Sequence, residues 1–176
     1  MENNFYNIFD SHAHYDDKWF DEDREVLLSS MKENGVCGII NNSVDLKTAK
    51  VCIDFCEKYD FMYGAVGFHP ENLEDMPNDY LDRVAELLKH KKIVAVGETG
   101  LDYHWDIPKD LQKRVFEEQI KLSLDVNMPI IVHDREAHGD TLNYLRKYKP
   151  KALVHCFSGS VEMMREVMRY GSYISL

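Results

Sequence analysis

Positive charge is scarce in this 176-residue chain: 21 Lys and Arg stand against 31 Asp and Glu, a formal net charge of −10. That balance argues against a protein that grips nucleic acid over a broad basic surface. A polyanionic ligand would have to be drawn to a local positive site, which bound cations can supply. Long hydrophobic runs are missing too, and none approaches the roughly 20 residues of a membrane span. The opening MENNFYNIFD has no basic segment followed by a long apolar one, so it does not read as a secretory signal. The chain is expected to be cytoplasmic, without membrane contact. Cysteine is sparse. Cys37 and Cys156 fall in apparent strands, and Cys52 and Cys56 share a helical stripe with Ala49 and Ile53. All four are expected to be buried free thiols. No Gly/Ser/Pro-rich linker or low-complexity segment interrupts the sequence, so residues 1–176 are expected to form a single domain.

What is present is ordinary in bulk, 44% hydrophobic and 30% charged, and long enough for a sizeable core. The pattern is more informative. Apolar β-type runs at Tyr6–Phe9, Val36–Ile40, Met62–Val66, Ile93–Val96, Pro129–Val132, Ala152–Val154 and from near Tyr173 alternate with helical periodicity. Leu27, Leu28 and Met31 form a first helical stripe, stopped by Asn34-Gly35. Leu81, Val84, Ala85 and Leu88 form another, and Val161, Met164, Val167 and Met168 a later one. Pro108 and Asp110 open a helix near Lys109–Val126. Continuously apolar strands, each followed by a helix, indicate a parallel sheet covered by helices. A dinucleotide-binding sheet would carry Gly-x-Gly-x-x-Gly after its first strand. Here Ser-His-Ala-His follows instead, which favours a (β/α) barrel.

The residues that follow the strands carry chemistry. The first strand leads into His12 and His14, which share a face because strand side chains alternate. Later strands lead into His69, Glu98, His133 and His155. Eight histidines spread at random over 176 residues would put well under one at six chosen positions, yet four of six strands have one. In a (β/α) barrel all strand C-termini open onto one face, where active sites are built. Four histidines and a carboxylate converging there suit Zn²⁺, Mn²⁺ or Fe²⁺ better than Ca²⁺. The two oxygens of Glu98 could bridge two metals.

The motifs FDSHAH, GFHPEN, VGETGLDYHWD, QKRVFEEQIKLSLDVNMPIIVHDREAHGDTL and HCFSGS, in that order, resemble the TatD-type metal-dependent deoxyribonucleases, a branch of the amidohydrolase-like barrels. The resemblance implies a (β/α)8 TIM barrel and hydrolysis of phosphodiester bonds in DNA, single-stranded DNA in particular. It implies two divalent ions (Zn, Mn or Mg), one held by His12, His14 and Glu98 and the other by Glu98, His133 and His155. Glu98 is the expected catalytic carboxylate. The family's barrel continues further and contributes an Asp from a Glu-Thr-Asp-type motif, whereas this chain stops at YGSYISL with about six and a half β/α units. It is therefore expected to be the N-terminal two-thirds of the barrel, weakly active and prone to self-association, with no dedicated protein partner.

Substrate contacts are expected from His69, Asp102 and Arg135, with Asp102 acting behind a metal ligand and Arg135 either meeting phosphate or pairing with Asp134 or Glu136. Tyr103, His104 and Trp105 could stack on unpaired bases. FSGS at Phe157–Ser160 reads as an anion cradle or a helix N-cap. His90 and His138 read as structural. Two other functions stay open: hydrolysis of a lactone or cyclic amide on the same kind of barrel, and metal binding without competent catalysis. No strand-end lysine is available to bridge metals as a carbamate, which favours the nuclease.

Overall fold

The computed structural model describes residues 6–176. Its strands are β1 (Ile8–Ala13), β2 (Val36–Asn42), β3 (Met62–Val66), β4 (Ile93–Asp102), β5 (Ile130–Arg135), β6 (Ala152–Val154) and β7 (Tyr173–Ile174). The helices between them are α1 (Arg24–Ser30), α2 (Leu46–Lys58), α3 (Tyr80–Leu87), α4 (Lys109–Asp125), α5 (His138–Tyr148) and α6 (Val161–Arg169). All neighbouring strands are parallel, and their order in the sheet is their order in sequence. A doubly wound sheet reverses its order at a switch point. This one never does, which is the topology of a TIM-barrel wall. The curl is steep. In a flat sheet β1 and β6 would lie about 24 Å apart, yet the ring of His12 on β1 stacks at 3.8 Å on that of His155, just beyond β6.

Alternation along the strands divides the apolar residues in two. Val66, Val96, Ile130 and Val132 face the helices and join Phe116, Ile120 and Leu145 in the main core. Ala65, Ala95 and Ile131 face the other way and pack with Ile40 and Leu153 as a small layer inside the curl. His133 and His155 lie two residues beyond Ile131 and Leu153, so their side chains enter the interior directly above that layer. Helix starts are locally encoded. Asp45 and Thr48 form a reciprocal capping box on α2, and Ser160 caps α6 by accepting from the Met163 N–H at 3.2 Å.

Several elements run differently from the sequence pattern. β1, β2, β4 and β5 extend past their apolar runs, because a parallel ladder pairs backbone and is indifferent to side-chain polarity. β4 is the extreme case, continuing six residues beyond Val96. On α6 the buried residues are Met163 and Val167, while Val161 and Met168 are 52% and 55% exposed. The cysteine expectation holds for Cys52 and Cys56 only. Cys37 is exposed on β2, and Cys156 is exposed beyond the end of β6 with a left-handed φ of 43°. No helix among the described residues is long and apolar enough to cross a membrane.

Candidate metal centre

A cleft of about 600 Å³ opens at the C-terminal ends of the strands, lined by His12, His14, His69, Glu98, His133 and His155 among others. Glu98 lies at its floor, 2% exposed, at a bulge in β4. Between Val96 and Thr99 that strand has three steps where β5 has two, from Ile130 to Val132. The added residue re-aims the carboxylate into the curl. Gly97 makes this possible: its φ is +145°, and a Cβ there would lie 2.8 Å from the Ile131 carbonyl oxygen.

One carboxylate oxygen, Oε2, lies 3.1 Å from His12 Nε2 and 3.0 Å from His14 Nε2, and these nitrogens are 3.0 Å apart. The other, Oε1, lies 3.2 Å from His133 Nδ1 and touches His155 Nε2; the two nitrogens are 3.3 Å apart. Two ligand triads thus share Glu98, each with all its ligand atoms within 4.8 Å of one another. Outer partners orient two of the rings. His14 Nδ1 faces the Asn42 carbonyl at 2.9 Å and His133 Nε2 faces Asp102 Oδ2 at 2.8 Å. Both partners only accept, so those nitrogens carry protons, and in the neutral rings His14 Nε2 and His133 Nδ1 are bare. Bare nitrogens then face carboxylate oxygens at about 3 Å. Such a donor set is repulsive unless positive charge sits within it. It fits divalent cations.

Where no ion is bound, protons on the rings supply that charge. Burial pushes the Glu98 carboxyl up, but hydrogen bonds with His12, His133, His14 and His155 outweigh it and hold the group well below the ordinary carboxylate range. Burial brings His12 below the usual imidazole value. Burial also opposes charge on His14 and His133, yet the bond and field of Glu98 raise both. The pocket holds a buried anion and favours cations around it.

The remaining candidates divide by position. His69, 7% exposed, borders the site with Nε2 3.5 Å from Glu98 Oε1, and its Nδ1 accepts from the Glu71 N–H at 3.3 Å. Asp102 is 1% exposed, with Oδ2 on His133 and Oδ1 accepting from the His104 N–H at 3.0 Å. Each of its oxygens thus engages one group of the protein, and Oδ2 faces His133. Arg135 is exposed at the end of β5 and forms no ion pair among the described residues, with Asp134 and Glu136 engaging His138 and His104 instead. Tyr103 is turned to α4 and α5, donating to Asp140 under Lys109, while Trp105 stays 48% exposed. His90 pairs with Glu57 at 2.6 Å.

Sequence reading passed over three features of this face. Trp19, 85% exposed, stands in a 3₁₀ turn two residues beyond Asp17 of the cleft wall. The Asn42 carbonyl is backbone and leaves no sequence signal. Gln112 and Gln119 are buried on α4, and their signal is two amides seven apart on the face that carries Val115, Phe116 and Ile120.

The family model described as TatD related DNase matches residues 9–176. The uncharacterized metal-dependent hydrolase YabD of Bacillus subtilis is 42% identical over 172 residues, covering 96% of this chain and 68% of its own length. The 3'-5' ssDNA/RNA exonuclease TatD of Escherichia coli is 27% identical over 174 residues, covering 96% of this chain and 66% of its own. The crystal structure of YjjV, a TatD homologue from Escherichia coli, superposes with a TM-score of 0.87 at 31% identity, over 99% of this chain and 68% of that one. The chain spans about two-thirds of the length of these three relatives.

Proposed function

Because the chain belongs to the TatD-related DNase family of metal-dependent hydrolases, we propose that it hydrolyses phosphodiester bonds of single-stranded DNA at a centre of two divalent ions. The observation that carries this reading is the shared carboxylate: Glu98 offers one oxygen to His12 and His14 and the other to His133 and His155. In this reading the first three residues hold one ion, and Glu98 with the last two holds the other. Ions bound there supply Lewis acidity toward phosphate oxygens and acidify water. The chain's own part is to aim and to exclude. Asn42 and Asp102 fix the rings of His14 and His133, and the Ala65, Ala95 and Ile131 layer keeps the floor of the site dry. Arg135, exposed and without a carboxylate partner among the described residues, is assigned to a substrate phosphate. His69, whose Nε2 lies 3.5 Å from Glu98 Oε1, is assigned to the same task. Trp105 offers an exposed face on which an unpaired base stacks. An exonuclease acting on single-stranded DNA and RNA among the relatives supports the choice of substrate.

The test is cleavage of a labelled single-stranded oligonucleotide with Zn²⁺, Mn²⁺ or Mg²⁺, run beside lactones and cyclic amides. Metal-dependent shortening of the oligonucleotide is the expected result. Turnover of a lactone or amide with the oligonucleotide intact would reassign the substrate.

A further inference from the structure

Helix α4 touches no proposed ligand, yet two of its side chains reach the site's framework. Gln112 and Gln119 are 1% and 0% exposed. Seven residues span nearly two turns, so both lie on one face about 10 Å apart. Each carboxamide engages the N–H and the C=O of a single residue. Gln112 Oε1 accepts from the Asp102 N–H at 2.8 Å, and its Nε2 donates to the Asp102 carbonyl at 2.8 Å and the Ile107 carbonyl at 3.1 Å. Gln119 Oε1 accepts from the Phe68 N–H at 2.8 Å, and its Nε2 donates to the Phe68 carbonyl at 3.0 Å and Thr99 Oγ1 at 2.6 Å. Both donor hydrogens of each amide are therefore used. A buried amide is costly unless so satisfied, and once satisfied it allows little movement.

The two gripped residues are neighbours of functional groups. Asp102 ends β4 and its side chain orients His133; Phe68 lies beyond the end of β3 and immediately precedes His69. Thr99 follows Glu98 directly. Where the backbone ladder gives out, the helix takes over its role with side-chain amides. We propose that Gln112 and Gln119 are positioning residues: Gln112 sets the Asp102–His133 pair, and Gln119 sets the His69 rim. The inference rests on the metal-centre reading for its consequence, though the hydrogen bonds it invokes do not depend on metal.

The test compares the same substitution at the two sites, Gln112→Met and Gln119→Met, with Gln112→Glu as a second variant that keeps the acceptor but loses the donors. In the metal-free chain, nitrogen-edited spectra report the His133 Nε2–H, which its bond to Asp102 protects from exchange. Titration with Co²⁺ then reads metal affinity directly. Gln112→Met, or Gln112→Glu if the first does not melt cooperatively, should lose the protected signal and weaken one of two Co²⁺ equivalents about tenfold or more. Gln119→Met should keep both, while raising KM for the oligonucleotide. Retention of the signal in a Gln112 variant, or equal weakening of both equivalents by both helix substitutions, would overturn the inference. A wild-type chain that binds no Co²⁺ would instead defeat the metal reading, and the ring signal would still decide this one.

Discussion

At the scale of single residues the account turns on Glu98. A buried carboxylate shared between two triads should matter more than any one imidazole, since its loss removes a ligand from both. Glu98→Ala should therefore lower bound metal more than His12→Ala, His14→Ala, His133→Ala or His155→Ala, as read by elemental analysis of purified protein. Full occupancy in Glu98→Ala would rule out the bridge. The five residues stood out in sequence because each follows an apolar run, and the structure gathers them into one cleft. Their orientation did not stand out. The acceptors that fix His14 and His133 are a backbone carbonyl 28 positions away and a carboxylate 31 positions away, brought close because β1 lies beside β2 and β4 beside β5 in the sheet.

At the scale of elements, β4 decides how the site is made. A strand that ended at Val96 would leave Glu98 on a loop, whereas the bulged strand fixes it against β5. Gly97→Ala would force a Cβ toward the Ile131 carbonyl at a φ that side chains rarely adopt, at a cost of about 1–3 kcal/mol. The melting temperature should fall by on the order of 5 °C, and bound metal should fall with it as Glu98 is re-aimed. Unchanged melting and metal content would show that the bulge tolerates a side chain. Strand order and helix number were readable from the alternation of apolar runs, and β3, β6 and the start of β7 fall where the pattern put them. Strand ends were not, because polar residues such as Asp102 and Arg135 continue the ladder through their backbone. The stripe on α6 was misread for a related reason: apolar residues on a short helix exceed the face that its neighbours cover, leaving Val161 and Met168 exposed.

At the scale of the whole molecule, two features lead to measurable behaviour. Among the described residues β1 pairs only with β2 and β7 only with β6, and Phe9 and Tyr173 near those edges are 51% and 72% exposed. Free strand edges with apolar flanks invite pairing between chains. The 176-residue chain should accordingly sediment with a mass that rises with concentration, and a single monomeric species across the range would contradict that. The second feature is charge. At −10 overall, the balance of charge argues against a broad basic surface, so the proposed affinity for DNA is expected to arise at cations held by His12, His14, Glu98, His133 and His155. The most direct measurement is binding of a fluorescent single-stranded oligonucleotide with and without excess chelator at fixed salt. The account predicts that binding collapses in chelator and returns when Mn²⁺ is restored. Binding that persists in chelator and weakens only with added salt would reveal a basic groove instead, and would contradict it.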